Sequence, residues 1–432
     1  DITTKNNQTY TGNILLLNDM TLSGKNITLN GNINGDKIGG QSLTINSSEK
    51  TTLGKNETQK IGVNTSLNSV NFGGMGITII NSSALKTTST QVYNNPVEIA
   101  SDTVLESSNN GDISFNKTVD SNINTEPHTL TVNTGGTTRF NDLVGSVSPL
   151  SALITDANGS TVITTTEITT TGGQTYGDNL LLGNSILLES TNSGNLTFNN
   201  PIDSQGIARK LTLNTTGITY LKNAVGGNNP LDSITTNMGG STEINNDVTT
   251  VGANGQTYND IVKFTGNSTL NTNTLNFDNN VIGTGVSLNI FPLKTTQNII
   301  LGGTGNDTLG NLVLNTTEMN FIQDGFTFIT FAKVDNSALI TLAGDFNLKN
   351  PLILQSPISM GTITGNGNIN GTNNASVTLN ANQNITTGDI LTQGQPVKIT
   401  TSNGQIQTGN INTSSTTGNG GNITLDAYNN IN

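Results

Sequence analysis

The triplet Gln-x-Tyr occurs four times at nearly constant separation. Gln8-Thr9-Tyr10, Gln91-Val92-Tyr93, Gln174-Thr175-Tyr176 and Gln256-Thr257-Tyr258 follow one another with a period of about 83 residues. A chain that repeats with this regularity builds its core from stacked copies of one unit, which restricts the fold before any element is assigned. The apolar positions keep the same register. Four residues beyond each Tyr stand Ile14, Val97, Leu180 and Val262; six beyond, Leu16, Ile99, Leu182 and Phe264; twelve beyond, Leu22, Leu105, Leu188 and Leu270. Between the first two sits Leu15, Glu98, Leu181 or Lys263, a site that tolerates charge. Inward, free, inward is a period of two, so these segments are strands.

The register runs deeper into the unit. Phe115 matches Phe198, Leu130-Thr131-Val132-Asn133-Thr134 matches Leu211-Thr212-Leu213-Asn214-Thr215, and Pro149-Leu150 matches Pro230-Leu231. The second and third units are near copies, the first is more diverged, and the fourth departs after Leu270. Short β-branched runs separated by Asn-Gly, Gly-Gly and Gly-Asn pairs read as strands and turns, and helix formers are scarce. Two all-β architectures fit: a string of sandwich domains, or a parallel solenoid in which each unit makes about four coils of about 20 residues.

Composition separates the two. Of 432 residues only 11% are charged, 17 Lys+Arg against 29 Asp+Glu for a net charge of −12, whereas Asn and Thr number about 70 each. Parallel coils place equivalent positions ~4.8 Å apart, so a charge repeated at one site faces its own kind. Asn, Thr and Ser instead bond to their copies in the next coil. A sandwich surface has no such restriction. The predicted fold is therefore an all-β, single-stranded parallel β-helix (β-solenoid) of about 20 residues per coil. Its predicted divisions are 1–270, built of the long repeat; 271–360, a divergent β-rich continuation; and 361–432, with short Gly/Asn/Thr repeats.

The same numbers exclude several functions. So few cations on a net negative chain cannot neutralise a row of phosphates, so nucleic acid is not an expected partner. No apolar run approaches the ~18 residues of a transmembrane segment. Zero cysteines remove disulfides and thiolate chemistry, and suit a chain exported through an oxidising compartment.

The search for chemistry assigns no catalytic, cofactor-binding or metal residue. His128 is the single histidine and lies in Glu126-Pro127-His128, a loop-like context with a surface role. Asp112, Asp120, Asp142, Asp203, Asp232 and Asp260 are scattered beside Gly, Asn or Ser, where Asp caps its own turn. The stretch 302–310 (Gly-Gly-Thr-Gly-Asn-Asp-Thr-Leu-Gly) matches a calcium-roll nonapeptide with Asp307 as ligand. Such sites need consecutive copies and one is present, so a plain turn with Leu309 inward is the favoured reading. In Phe326-Thr327-Phe328-Ile329-Thr330-Phe331 the alternate phenylalanines are expected to fill the core rather than form a sticky stripe. Tyr10, Tyr93, Tyr176 and Tyr258 are read as packing markers.

The unit over 173–217, with Gly-Gln-Thr-Tyr, Leu-Thr-Phe-Asn and Leu-Thr-Leu-Asn-Thr-Thr-Gly, resembles the repeats of filamentous-haemagglutinin-like bacterial exoproteins. The tail over 416–427, with Gly-Asn-Ile-Thr-Leu, is similar to their shorter repeats. The resemblance covers about 8–270 and 360–432, and it implies a right-handed β-helix secreted to the surface of a Gram-negative bacterium. Residues 1–4 and 428–432 read as interior coil, which predicts a longer parent chain or end-to-end self-association into a rod or fibre. The expected function is structural or adhesive, without catalysis, with a surface glycan or extracellular matrix as partner. The alternative is a polysaccharide-binding or polysaccharide-cleaving β-helix.

Overall fold

The computed structural model describes residues 1–122, 126–308 and 310–432. Its strands pair in parallel, and the chain is a parallel β-solenoid of about 23 residues per turn. Two compact units divide it, Asp1–Tyr220 and Leu221–Asn432.

In the first unit each turn lays one segment on each of three faces. One face runs in register through Gln8, Ile27, Thr51, Thr78, Val97, Val119, Val144, Ile168, Leu188 and Leu213. The second runs through Leu43, Val70, Gln91, Ile113, Thr138, Thr161, Leu180 and Ile202. The third runs through Ile33, Ile61, Leu85, Leu105, Val132, Thr155, Tyr176 and Phe198. The three copies of Gln-x-Tyr in this unit thus lie on three different faces. From Gln91 to Thr170 the chain makes ten strands, and the bridged residues Val144 and Leu150, which both pair with Glu167–Thr170, form one further segment, eleven in all. At three segments per turn, the long repeat is three and two-thirds turns, not four. The expected coil of about 20 residues is therefore too short, and the repeat moves the motif back by one face each time.

The motif has a structural reason that does not depend on the face. The Gln91 amide nitrogen donates to the carbonyls of Leu85 (3.3 Å) and Glu106 (2.9 Å), which belong to successive turns. Its Oε1 accepts from the Tyr93 hydroxyl at 3.1 Å. Gln174 bonds in the same way to Ile168, Glu189 and Tyr176, Gln8 to Ile2, Ser23 and Tyr10, and Gln256 to Val248, Asn271 and Tyr258. A buried amide fastens two turns at a corner, and the Tyr satisfies its remaining acceptor. Tyr93, Tyr176 and Tyr258 are fully buried, as their reading as packing markers requires, and Tyr10 is half-buried. The apolar repeat positions are buried too, apart from half-buried Ile14.

Stacking extends to the rings. Phe72, Tyr93, Phe115 and Phe140 stack with centroids 5.2, 4.9 and 5.2 Å apart. The turns between segments need glycine at defined places. Gly62 and Gly145 have φ of +67° and +70°, and a Cβ on either would lie 2.0 Å from the Lys86 or Thr169 carbonyl oxygen. No other residue fits such a corner.

In the second unit one face runs regularly through Val248, Leu270, Ile290, Phe331, Leu354, Leu379, Ile399 and Leu425. Between Val286 and its partner Phe326 the turn swells to nearly twice the usual length. The excess is the excursion 302–325, which adds the strand Asn311–Leu314 beside Asn298–Leu301 and the helix Thr316–Phe321. A register shift between Val286 and Ser287 faces the start of Phe326–Phe331. That bulge breaks the alternation expected for the phenylalanines. Phe326 and Phe331 enter the core, whereas Phe328 is turned out and 37% exposed.

Candidate functional site

Along the regular turns, outward side chains form ladders with side chains one turn away. Asn94 donates to Asn71 at 2.9 Å, Asn116 to Asn94 at 2.7 Å, Asn141 to Asn116 at 2.7 Å, and Thr164 to Asn141 at 2.9 Å. Where charges meet in register they are usually opposite, as in Lys86 with Glu106 (2.7 Å) and Lys263 with Glu243 (3.3 Å). Glu98 faces Asp120 instead. Its carboxyl is raised above the ordinary range, by burial first and by Asp120 second, and the Asn122 amide donates to it at 2.9 Å.

The aspartates singled out in the sequence are not gathered at one place. Among the described residues no group of three His, Cys, Asp or Glu side chains could hold a metal. Asp142 caps its own turn, accepting from the Leu143 amide. Asp112 and Asp120 do not, contrary to expectation: Asp112 accepts from the Thr137 amide, and Asp120 from those of Val147 and Ser148, all in the next turn. A turn in a solenoid has a neighbour directly above it, so a short carboxylate reaches that backbone as readily as its own. Asp203 is buried, and Asp232 packs so closely on Gly252 that a Cβ there would lie 2.3 Å from its Oδ1. Asp260 is buried and accepts from the Thr236 and Thr242 hydroxyls at 2.7 and 2.8 Å. His128 Nδ1 lies 3.6 Å from Asp102, and its backbone amide donates to Ser121. Arg209 holds the equivalent place in the following repeat and donates likewise to Ser204, so the position fixes a loop whatever its side chain.

The departure from regular architecture lies in the excursion 302–325. The strand Leu275–Phe277 ends its sheet, so its outward amides lack a ladder partner. Two carboxylates supply the acceptors. Asp307 accepts from the Leu275 and Val313 amides, both at 2.6 Å, and joins the old edge to the inserted strand. Glu318 accepts from the Phe277 amide at 3.3 Å and from the Asn315 amide at 2.9 Å. The second bond completes a capping box, with the Asn315 side chain accepting from the Thr317 and Glu318 amides. Burial pushes the Asp307 carboxyl up to about 6 and the Glu318 carboxyl up to about 7, against these backbone bonds. Asp307 thus caps backbone amides with both of its oxygens; Leu309 of the same motif lies outside the described residues.

The helix and the strand edge enclose an open cleft of about 610 Å³. Asn276, Asp278, Thr304, Asn306, Thr317 and Phe321 line it, with Glu318 at its floor. Sequence reasoning passed over it. Its signal was Asn315-x-x-Glu318 ahead of Met319, a capping box in a chain otherwise poor in helix formers. A raised carboxyl in a cleft is a feature of general acids, but both Glu318 oxygens hold backbone amides. Comparison with known proteins finds no family model, no curated protein and no solved structure that matches the chain.

Proposed function

We propose that this chain is an extracellular structural and adhesive β-solenoid, part of a surface rod or self-assembling fibre of the filamentous-haemagglutinin-like kind, with no catalysis of its own. The observation that carries the reading is the ladder from Asn71 to Thr164, in which neutral side chains of successive turns bond to one another. Such a surface offers little to a reacting substrate but resists proteolysis, holds the backbone stiff and presents long polar faces to a glycan or matrix. Negative-stain microscopy of the purified protein tests it. Long uniform fibres or slender rods are expected, and compact particles refute it.

A second reading, a polysaccharide-cleaving β-helix, draws on the raised carboxyl of Glu318 beside Asp278. Incubation with neutral and acidic polysaccharides separates the two. New reducing ends that vanish in Glu318→Gln establish cleavage, and unchanged polymers leave Glu318 as a cap.

A further inference from the structure

We infer that the cleft between the strand Leu275–Phe277 and the helix Thr316–Phe321 binds an uncharged oligosaccharide. This rests on the adhesive reading above and names the contact through which it acts. Three observations converge on that ligand class. The volume of about 610 Å³ falls in the range of small-molecule sites, and the cleft is open to solvent. Neither Lys nor Arg lines it, whereas Asp278 and Glu318 do, so a uronate, sulfate or phosphate would meet only negative charge. The lining combines amides and hydroxyls with one half-buried ring, Phe321.

A sugar presents neighbouring hydroxyls at its edge and a patch of C–H groups on its face. Asn276 and Asn306 provide donors and acceptors for the edge, the exposed Asp278 carboxylate accepts from a hydroxyl pair, and Phe321 supplies a flat apolar surface for the face. Among the described residues, no hydrogen bond within the chain engages the side chains of Asn276, Asp278, Thr304 or Asn306. The carboxylates that do hold structure, Asp307 and Glu318, fix the two walls by bonding backbone amides. The cleft is therefore preformed, and binding does not have to order it.

The test is calorimetric titration of the whole chain with neutral trisaccharides of glucose, galactose, mannose and N-acetylglucosamine, and with uronate and sulfated counterparts. At least one neutral sugar is expected to saturate below about 10 mM, and Phe321→Ala and Asp278→Asn each to weaken it about tenfold. Asp278 is exposed, so Asp278→Asn keeps the test decisive if Phe321→Ala disturbs folding. Absence of saturation by every neutral sugar overturns the inference. So does binding that both variants leave unchanged, or tighter binding of the acidic counterparts. Fibre or rod formation is read by microscopy and does not depend on these titrations, so failure of the cleft and failure of the structural reading are distinguishable.

Discussion

Two residues beyond the Tyr of each motif stand Gly12, Asn95, Asp178 and Asp260, and the last three are buried. Asp178 Oδ1 accepts from the Thr155 and Thr161 hydroxyls at 3.0 and 2.8 Å, while its Oδ2 is buried without a partner. Burial raises this carboxyl from 3.8 to about 6, more than the threonine bonds lower it. A proton is therefore held more tightly in the folded state. The resulting stabilisation is complete below about pH 3.8 and is lost as the pH rises through about 6. Asp178→Asn keeps the acceptor that both threonines use and carries no charge. It is expected to be more stable than the parent at pH 8 by on the order of 2–3 kcal/mol, with the difference vanishing towards pH 4. Denaturant unfolding of both proteins across that range checks it; a difference independent of pH refutes the assignment. Tyr93→Phe leaves Gln91 Oε1 buried without its donor and is expected to cost ~1–2 kcal/mol in the same assay. The burial of Tyr93 was legible in the sequence. The role of Gln91 was not, because its partners Leu85 and Glu106 are defined only once the turns are stacked.

At the scale of elements, strands and turns were readable wherever the repeat was regular, since period two and the Gly-Asn punctuation are local properties. The excursion 302–325 was not, because its logic is to finish a sheet edge that Leu275–Phe277 leaves open more than a full turn earlier in the chain. Asp307 reads as part of a calcium-roll turn until Leu275 is placed beside it. Glu318 likewise answers to Phe277. Glu318→Ala removes the acceptor for the Phe277 and Asn315 amides and half of the capping box, a loss of ~1–3 kcal/mol. Faster hydrogen exchange at Phe277 and Asn315 is the expected sign, with exchange at the distant strand Val397–Thr401 unchanged. Calcium is expected to leave the melting temperature where it was, because Asp307 already accepts from two amides; a rise on adding the ion would show that the carboxylate abandons them.

Over the whole molecule, composition lent the solenoid its strongest support, whereas dividing the long repeat into about four coils of about 20 residues fell about three residues per turn short. The repeat length was visible in the sequence, but the number of faces was not, and the eleven segments of one long repeat close three and two-thirds turns. Register runs from each turn to its immediate neighbours, so stability is a sum of local terms, and damage is expected to fade along the chain. Gly145→Ala tests this. The Cβ would meet the Thr169 carbonyl at 2.0 Å in a backbone of φ +70°, so the corner must open at a cost of ~2 kcal/mol or more. Its segment bridges Val119 on one side and Ile168 on the other. Amide exchange should therefore accelerate in Val119–Ser121 and Glu167–Thr170, and remain as in the parent in Val377–Ala381. Uniform acceleration along the chain would mean that the turns unfold as one cooperative block and that the nearest-neighbour description fails.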